Sequence, residues 1–445
     1  SEGRDGAVKI WAFIIRRAKS YWKKSRSFFV NLLLSKYVAL FNLFTRKSSF
    51  YERYSWQSLI EDEFLARKAT FNKKYHFAVK SYEKLVAQEE TTENKVELAA
   101  IYGRIGEYRK EAQVYEEITN KGDVTPELKE SIKRNILQIR PTNTIDAELE
   151  ERDGRQGVVD IRKTSIGTSF WFTPDLDKDF WLKYAHNNYQ STERNGGIAS
   201  NILLGAMTYE FGESYEFIAG LGAEKFDDSS DSEIQYNFEL NGQLDDYVSG
   251  FILYQKDPVD DTIAAINFDV FRQYIQTGLT IETEMGITFG GDLQYSLYSD
   301  DNERNRFYGF SSYSIFVESF QFDVRYSFQY LANKDINRPD GFLDVGVNED
   351  FVSTYWSPES YSEHRLGLQF KKDFFGYLTD LENKMSYFRF DTGISLEDQE
   401  NVAYSAKFDI FLEMSAHLLL KGNFSFNSSD VYKEKMLSLS LHYSW

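Results

Sequence analysis

The chain of 445 residues contains no cysteine, only 6 prolines and no long hydrophobic run. The absence of cysteine excludes disulfide bonds, thiol nucleophiles and Cys-ligated zinc. The scarcity of proline favours long paired strands, because proline interrupts the hydrogen-bonded ladder of a sheet. No stretch reaches the roughly 18 apolar residues of a transmembrane helix, so we expect none. The chain begins at Ser1 without a signal-peptide pattern, and we interpret it as a mature or trimmed product.

Patterns of catalytic or metal-binding residues are also missing from the sequence. The 5 histidines form no HExxH motif and no pair at metal-ligand spacing, and there is no glycine-rich phosphate loop. His364 beside Glu363, and His417 near Ser415, resemble parts of a hydrolase site. Lone histidines on strands are more often interface or lumen residues. We therefore expect no catalytic residue, no metal, no cofactor and no enzyme activity.

Aromatic residues are abundant: 37 Phe, 30 Tyr and 7 Trp make up 17% of the chain. Outer-membrane barrels use such rings for two interfacial girdles and for lipid-facing positions. The mean hydropathy of −0.49 suits strands that are apolar on one side only. Residues 1–156 carry 29 Lys and Arg against 23 Asp and Glu, whereas the remainder carries 22 against 46. The two parts carry net charges of opposite sign, which predicts that they have different roles. The acidic main part disfavours binding of nucleic acid, because it repels phosphate.

Residues 1–55 predict a basic amphipathic helical segment. Within 24–46 the polar residues recur at spacings of four and seven: Lys24, Asn31, Ser35, Asn42 and Arg46. This spacing gives a narrow polar stripe on an otherwise apolar helix. Such a helix either lies on a lipid surface, aided by its cations, or packs within a helical domain with its basic residues in water. The pattern leaves both interpretations open.

Residues 56–140 predict helical hairpins with an internal repeat. Small and large apolar residues recur at an offset of 33: Leu65, Ala66, Tyr75 and Tyr82 in the first unit, and Leu98, Ala99, Tyr108 and Tyr115 in the second. The pattern resembles tetratricopeptide (TPR) repeats, whose period is about 34, although Ala112 falls one place late and Lys73 replaces a turn glycine. Because such repeats bind proteins, the four tyrosines are candidate partner-binding residues.

Residues 141–157 are polar, acidic and without periodicity, which predicts a linker. From 158 to 445 the apolar period is two, as in the stretch 321–330, with aromatic or β-branched residues on one face and polar residues on the other. The last residues keep this alternation and resemble the terminal signal for barrel insertion: Leu437, Leu439, Leu441, Tyr443 and Trp445. The predicted fold class is α + membrane β, a short TPR-like helical domain followed by a roughly 16-stranded antiparallel transmembrane β-barrel.

If the aromatic face of the strands meets lipid, the opposite face lines a pore. The candidate lumen and polymer-path residues are its carboxylates and rings: Glu239, Asp269, Glu282, Glu284, Asp292, Asp323, Asp391, Asp409, Trp181 and Tyr387. Basic residues of this parity are fewer, so the lumen is expected to enrich cations. Rings beside carboxylates suit a sugar polymer, which offers apolar ring faces and hydroxyl donors. For any single residue, ordinary solvation of the pore is the alternative.

One segment carries a more specific motif. Two aromatic residues, Ser-Pro, an acid and a tyrosine precede a late strand as Tyr355, Trp356, Ser357, Pro358, Glu359 and Tyr361. This motif, the domain order and the chain end resemble the synthase-dependent exopolysaccharide exporters, such as the cellulose and poly-N-acetylglucosamine export porins. The long loop over 332–362 is expected to fold inward and narrow the pore, with Pro358 directing its exit into the strand. Family members usually have more repeats than the two or three found here.

The resemblance implies a barrel in the bacterial outer membrane, in contact with lipid and with a polysaccharide chain. Its periplasmic repeats would bind the synthase or a polymer-modifying protein of the periplasm or inner membrane. The acidic lumen suits a polymer with free amines better than neutral cellulose, and suits polyuronates badly. A second hypothesis is a plugged structural or assembly barrel that anchors a larger envelope complex.

Overall fold

The computed structural model describes the helices, the strands and most turns of the chain. The described residues are 61–70, 74–122, 124–154, 159–175, 178–191, 197–211, 215–227, 232–244, 246–283, 285–317, 320–334, 355–374, 386–398, 401–415 and 417–445. The predicted basic segment 1–55 therefore lies outside the described residues, as do residues 56–60 of the predicted repeats. Within the described ranges, no helix has the length and apolarity required to cross a membrane.

The described N-terminal region is helical. Its helices are α1 over 61–70, α2 Tyr75–Gln88, α3 Thr92–Arg104, α4 Tyr108–Asn120 and α5 Pro126–Ile139. Local sequence explains two of the starts, since the Thr91 and Thr125 hydroxyls each accept a hydrogen bond from a backbone N–H of the first turn, at 3.2 Å. Gly106, with φ +85°, allows the sharp turn between α3 and α4.

The four repeat tyrosines differ in their surroundings. Tyr82 is 1% and Tyr115 3% exposed, and each packs in an apolar cluster between helices. These two side chains are core residues, because the repeat pattern marks packing positions, and a partner-binding role for them stays a prediction. Tyr75 and Tyr108 are half-buried, and their partner-binding role stays a prediction.

Sixteen antiparallel strands within the described residues form one closed barrel. Their bounds are β1 Thr142–Gly154, β2 Val159–Asp175, β3 Lys178–Gln190, β4 Gly197–Phe211, β5 Tyr215–Phe226, β6 Ser232–Gln243, β7 Val248–Pro258, β8 Phe271–Glu282, β9 Ile287–Tyr298, β10 Glu303–Val317, β11 Phe320–Asn333, β12 Ser360–Phe374, β13 Ser386–Glu397, β14 Val402–Ser415, β15 Leu418–Ser428 and β16 Tyr432–Ser444. The predicted strand number is thereby confirmed.

The barrel closes through β1 and β16, whose register pairs Thr142 with Ser444 and Gly154 with Tyr432. The segment 141–157, predicted to be a linker, is therefore mostly the first strand. The sequence misled because acidic residues occupy both faces of this strand, which hides its alternation. We call the end of the barrel at Thr142 and Ser444 proximal, and the opposite end distal.

The outer surface of the barrel is apolar. Along β16 the side chains of Leu437, Leu439, Leu441 and Tyr443 are 38–50% exposed, and Leu221 in β5 reaches 66%. In water such a continuous apolar surface would drive association. A closed sheet with every backbone group paired and apolar side chains outside is instead stable in hydrocarbon.

Aromatic side chains of the outer face gather at the proximal level. The rings of Phe170 and Phe172 stack at 5.4 Å, Phe172 stacks on Phe180 at 5.5 Å, and Trp445 lies 6.4 Å from Phe170. Towards the distal end the outer rings include a Tyr236–Tyr254 pair at 5.5 Å. Two aromatic levels with aliphatic side chains between them match the girdles of a membrane-spanning barrel.

Candidate functional site: the lumen and the inner loop

The side chains that alternate with the apolar outer face point into the barrel. Some are fully covered there, with Ser200 at 0%, Glu224 at 1% and Asn187 at 2% exposure. The Ser200 hydroxyl donates to Glu224 at 2.5 Å, and the Gln235 amide donates to its other oxygen at 2.8 Å. Buried polar groups need such partners, so this face forms a polar interior.

The structure places most predicted lumen residues on the inward face. They are Trp181 in β3, Glu239 in β6, Glu282 in β8, Asp292 in β9, Asp323 in β11, Tyr387 and Asp391 in β13, and Asp409 in β14. Asp269 lies on no strand but in the turn before β8, exposed and with φ +50°, and its place on the polymer path stays a prediction. Glu284 lies outside the described residues.

Several of these carboxylates are paired with arginine across neighbouring strands. The pairs are Asp292 with Arg306 at 3.1 Å, Asp391 with Arg365 at 2.5 Å, and Asp409 with Arg389 at 2.6 Å. The wall formed by β9–β14 is therefore closer to neutral than the count of acidic residues predicts. The remaining carboxylates of β4–β8 have fewer basic neighbours, so the negative potential lies mainly on that wall.

Near the proximal end the inward face carries flat rings. Tyr387 and Phe411 stack with 5.2 Å between centroids and 5° between planes. Lys371 lies 4.6 Å over the Tyr387 ring, and Lys421 lies 5.7 Å over the Phe411 ring. Rings with neighbouring cations can contact the apolar faces and hydroxyls of a sugar.

Towards the distal end, the connection from β7 to β8 crosses the lumen. We call residues 259–270 the inner loop; it contains the short helix α6, Ile263–Asn267. The loop reaches β2 through a parallel bridge between Thr262 and Asp160. In the closed sheet β2 and β7 are separated by four strands, so the loop can join them only across the interior.

Ion pairs hold the inner loop to the barrel wall. Arg152 in β1 donates to Asp261 at 2.7 Å, and Lys163 in β2 donates to Asp260 at 2.9 Å. Burial raises the pKa of Asp260, but the charges of Lys163 and Arg152 outweigh it and hold that pKa below its ordinary value. The carboxylate is thus stable in its ionised form although it is buried.

Apolar side chains anchor the inner loop on both sides. Ile266 packs with Ile161, Tyr189, Ile198 and Phe226 of β2–β5. On its other side, Val259, Ala265 and Val270 pack against Tyr298 and Tyr355. A loop fixed by ion pairs and two apolar clusters narrows the distal part of the lumen at rest.

Part of this anchor comes from the predicted motif. Tyr355 is 1% exposed and stacks on Tyr298 with 4.7 Å between ring centroids. Its hydroxyl accepts a hydrogen bond from the Asn302 amide and donates one to the Asp300 carboxylate, both at 3.1 Å. Burial raises the pKa of both Tyr355 and Asp300. The Arg304 guanidinium donates to the Trp356 carbonyl at 2.5 Å.

The remaining motif residues hold the start of β12. Ser357 is buried, the Pro358 carbonyl accepts from the Asn333 amide, and the Tyr361 hydroxyl donates to Glu397 at 3.0 Å. Of this segment, Tyr355 packs onto the inner loop, whereas residues 335–354 lie outside the described residues. The motif therefore fixes the constriction, and the segment that crosses the lumen within the described residues is the inner loop.

Sequence reasoning missed the inner loop and its partners Arg152 and Lys163. The sequence did contain a signal for a short helix at this place. Thr262 follows two aspartates and can cap a helix, and Ile263 and Ile266 after it lie at helical spacing. The partners lie about a hundred positions earlier in the chain, and only the closed barrel brings them together.

The helices contact the proximal rim of the barrel. Asp246, in the turn between β6 and β7, accepts hydrogen bonds from the backbone N–H of His76 at 2.7 Å and of Phe77 at 3.1 Å. Arg109 in α4 forms an ion pair with Asp179 in β3. These contacts fix the helices beside the mouth of the barrel.

The chain matches no model of a known protein family and none of the curated proteins. Among solved structures it is similar to one described as a bacterial polysaccharide outer membrane secretin, with a TM-score of 0.55 and 9% identity over 69% of this chain and 99% of that chain. Two Pseudomonas aeruginosa structures, OpdO (TM-score 0.37, 12% identity, 69% and 96% covered) and OccK7 (TM-score 0.38, 12% identity, 69% and 98% covered), are too dissimilar to carry an argument. The similarity to the first shows the fold: a closed 16-stranded antiparallel barrel.

Proposed function

We propose that the protein is an outer-membrane porin that exports an exopolysaccharide, with its helices in the periplasm. The observation that carries the proposal is the combination of an apolar outer belt with a polar, ring-bearing interior in one closed barrel. A membrane location follows from the belt, because only hydrocarbon suits it. The name of the similar structure, a polysaccharide secretin, agrees with this function.

The preferred cargo is a polymer with free amines. Glu210, Glu216 and Glu239 face inward on β4–β6, where no arginine lies on a directly paired inward position. A wall of this charge attracts ammonium groups and disfavours polyuronates. Weak, repeated contacts let a chain slide, whereas one tight site would hold it.

The proposal is tested with the full chain in planar bilayers. A channel is expected to select cations, and Glu239→Gln with Glu282→Gln is expected to lower this selectivity. The matched control is Asp391→Asn with Arg365→Gln, which removes one paired carboxylate together with its arginine and is expected to leave selectivity close to wild type. Unchanged selectivity in the Glu variants, or loss in the control alone, contradicts an acidic conduit.

The helices are proposed to recruit the synthase or a polymer-modifying protein, as tetratricopeptide repeats do. Their exposed residues support this role, since Phe64, Leu65 and Phe77 are 38–48% exposed on α1 and α2. Replacing all three by serine is expected to abolish co-purification of that partner while export-competent barrels still fold. Co-purification that persists in this variant contradicts the recruiting role.

A plugged structural barrel is a second candidate, favoured by the inner loop inside the lumen. It differs from the porin in one measurable respect. A porin conducts in bilayers as the wild-type chain, whereas a structural barrel stays silent there and purifies as a stoichiometric complex.

A further inference from the structure

The outer face of the barrel carries a groove across β8–β11, which we call the outer groove. Its volume is about 330 Å³, and outward side chains of two neighbouring rows line it: Ile275, Tyr295 and Asn305 in one row, and Thr277, Leu293, Phe307 and Tyr330 in the other. Cavities that hold small ligands measure on the order of 300–1,000 Å³. The outer groove is therefore large enough for a segment of an acyl chain.

Small side chains between large ones produce this groove. Asn305 lies opposite Ala332 in the β10–β11 register, whereas Tyr295, Phe307 and Tyr330 around them are 39–42% exposed. An apolar chain that fills the recess gains close contact with three rings at once. A recess of fixed shape thus favours one bound chain over the changing contacts of a flat belt.

The next row of outward residues, on the distal side of the groove, carries charge. From β7 to β11 this row is Lys256, Gln273, Leu297, Glu303 and Lys334. Two lysines against one glutamate give the row a net positive charge. Basic side chains at the edge of a membrane-spanning surface attract anionic lipid headgroups.

The two lysines are held in different ways. Lys334 pairs with Glu303 at 2.8 Å, and the Tyr295 hydroxyl donates to the same carboxylate at 2.9 Å. Lys256 lies 4.4 Å over the Phe271 ring and forms no ion pair within the part of the chain that the structure describes. Its ammonium group is therefore positioned by a ring, while its charge is left for a ligand.

The charge of these strands is confined to one side of the membrane. At their proximal ends the described outward residues are uncharged, among them Ile281, Phe289, Ile315 and Phe322. The acidic turn after β9 lies beyond the lysine row, and its Asp300 accepts a hydrogen bond from Tyr355 inside the barrel. The groove and the lysines therefore face the membrane leaflet on the side away from the helices.

We propose that the outer groove and its lysine row bind one molecule of lipopolysaccharide, a glycolipid with several acyl chains and a phosphate at each end of its disaccharide headgroup. One acyl chain lies in the groove, one phosphate is held by Lys334 and the other by Lys256. The two lysines are four strand spacings apart, roughly 19 Å between their backbones, and their long side chains shorten this span. The site is separate from the export path, and it depends on the proposed function only through the orientation with the helices in the periplasm.

The test uses the full chain in detergent and counts bound lipid by native mass spectrometry during a titration. The probes are bisphosphorylated lipid A (the acylated headgroup of lipopolysaccharide), its dephosphorylated form, and inorganic phosphate. Wild type is expected to bind one bisphosphorylated molecule more tightly than the dephosphorylated form. Lys256→Gln with Lys334→Gln is expected to weaken binding of the bisphosphorylated probe about tenfold or more, the order expected for loss of charge-assisted hydrogen bonds.

A matched control lies at the opposite membrane surface. Lys372 in β12 lies 4.7 Å over the Phe320 ring, at the proximal end of the barrel, in the same kind of environment as Lys256. Lys372→Gln is expected to bind the bisphosphorylated probe like wild type. An equal loss in this variant would assign the effect to any cation on the outer face and overturns the site.

A second variant separates the groove from the lysines. Asn305→Phe fills the recess, keeps both lysines, and is expected to weaken the bisphosphorylated and the dephosphorylated probe alike. Equal binding of these two probes to wild type, or inorganic phosphate that displaces the lipid completely, overturns the combined site. Conductance in bilayers without lipopolysaccharide tests the porin function independently, so failure of the lipid site is distinguishable from failure of the proposed function.

Discussion

Arg152 in β1 and Asp261 in the inner loop, 109 positions apart in sequence, form an ion pair with 2.7 Å between Nη1 and Oδ1. The same arginine contacts Glu150 at 3.0 Å on its own strand. The pair joins the strand that closes the barrel to the loop that narrows it. The first strand and the constriction are therefore physically coupled.

Arg152→Ala is expected to release the inner loop and raise single-channel conductance in planar bilayers. Removing one partner of a buried ion pair typically costs about 3–5 kcal/mol, and part of that cost is relieved when the loop leaves the wall. Arg162→Ala is the control, because Arg162 is half-exposed on the outer face and pairs with Glu151 at 2.7 Å. Equal conductance of Arg152→Ala and wild type would show that the loop does not limit flow.

The inner loop is expected to respond to acid. The folded-state pKa of Asp260 lies below its ordinary value of about 3.9. Its ion pairs therefore stabilise the loop fully above that ordinary pKa. This stabilisation is lost as the pH falls through the lower folded-state pKa. Conductance of wild type is therefore expected to rise below about pH 4. Asp260→Asn should conduct more at pH 6 and show a smaller acid step. An acid step of the same size in this variant would assign the effect to other carboxylates.

The ring of Tyr355 is expected to matter more than its hydroxyl. Tyr355→Ala removes the stack on Tyr298 and leaves a cavity, which costs about 3–5 kcal/mol for a large aromatic side chain. Tyr355→Phe keeps the stack and loses hydrogen bonds to Asn302 and Asp300, at a cost of about 1 kcal/mol. Hydrogen exchange of the amides in residues 259–270 measures both. If the Phe variant exchanges as fast as the Ala variant, the hydroxyl is the anchor.

Asp246 is expected to fix the helices against the rim. Asp246→Ala removes the acceptor for the first N–H groups of α2, a loss of about 1 kcal/mol for an N-terminal cap. Trypsin is expected to cleave the helices faster in this variant while the barrel stays resistant. Asp430→Ala, in the distal turn between β15 and β16, serves as the control. Faster cleavage in both variants would indicate a general loss of stability.

The barrel could be predicted from the sequence because its signal is local. In β11 the residues Phe322, Val324 and Tyr326 alternate with Asp323 and Arg325, and each strand needs only its own pattern to separate lipid from lumen. The strand count and the inward face of most candidate lumen residues followed from this alternation. The first strand was not predicted, because Glu150 and Glu151 place acidic side chains on both of its faces.

The sequence by itself determined which faces are apolar and which are polar, since a period of two depends only on neighbouring residues. The tertiary structure decided which charges meet. Arg306 reaches Asp292 through strand register, and Lys163 reaches Asp260 through a loop that crosses the lumen. Pairing across strands and across the pore depends on closure of the whole sheet, and closure joins residues that no local pattern connects.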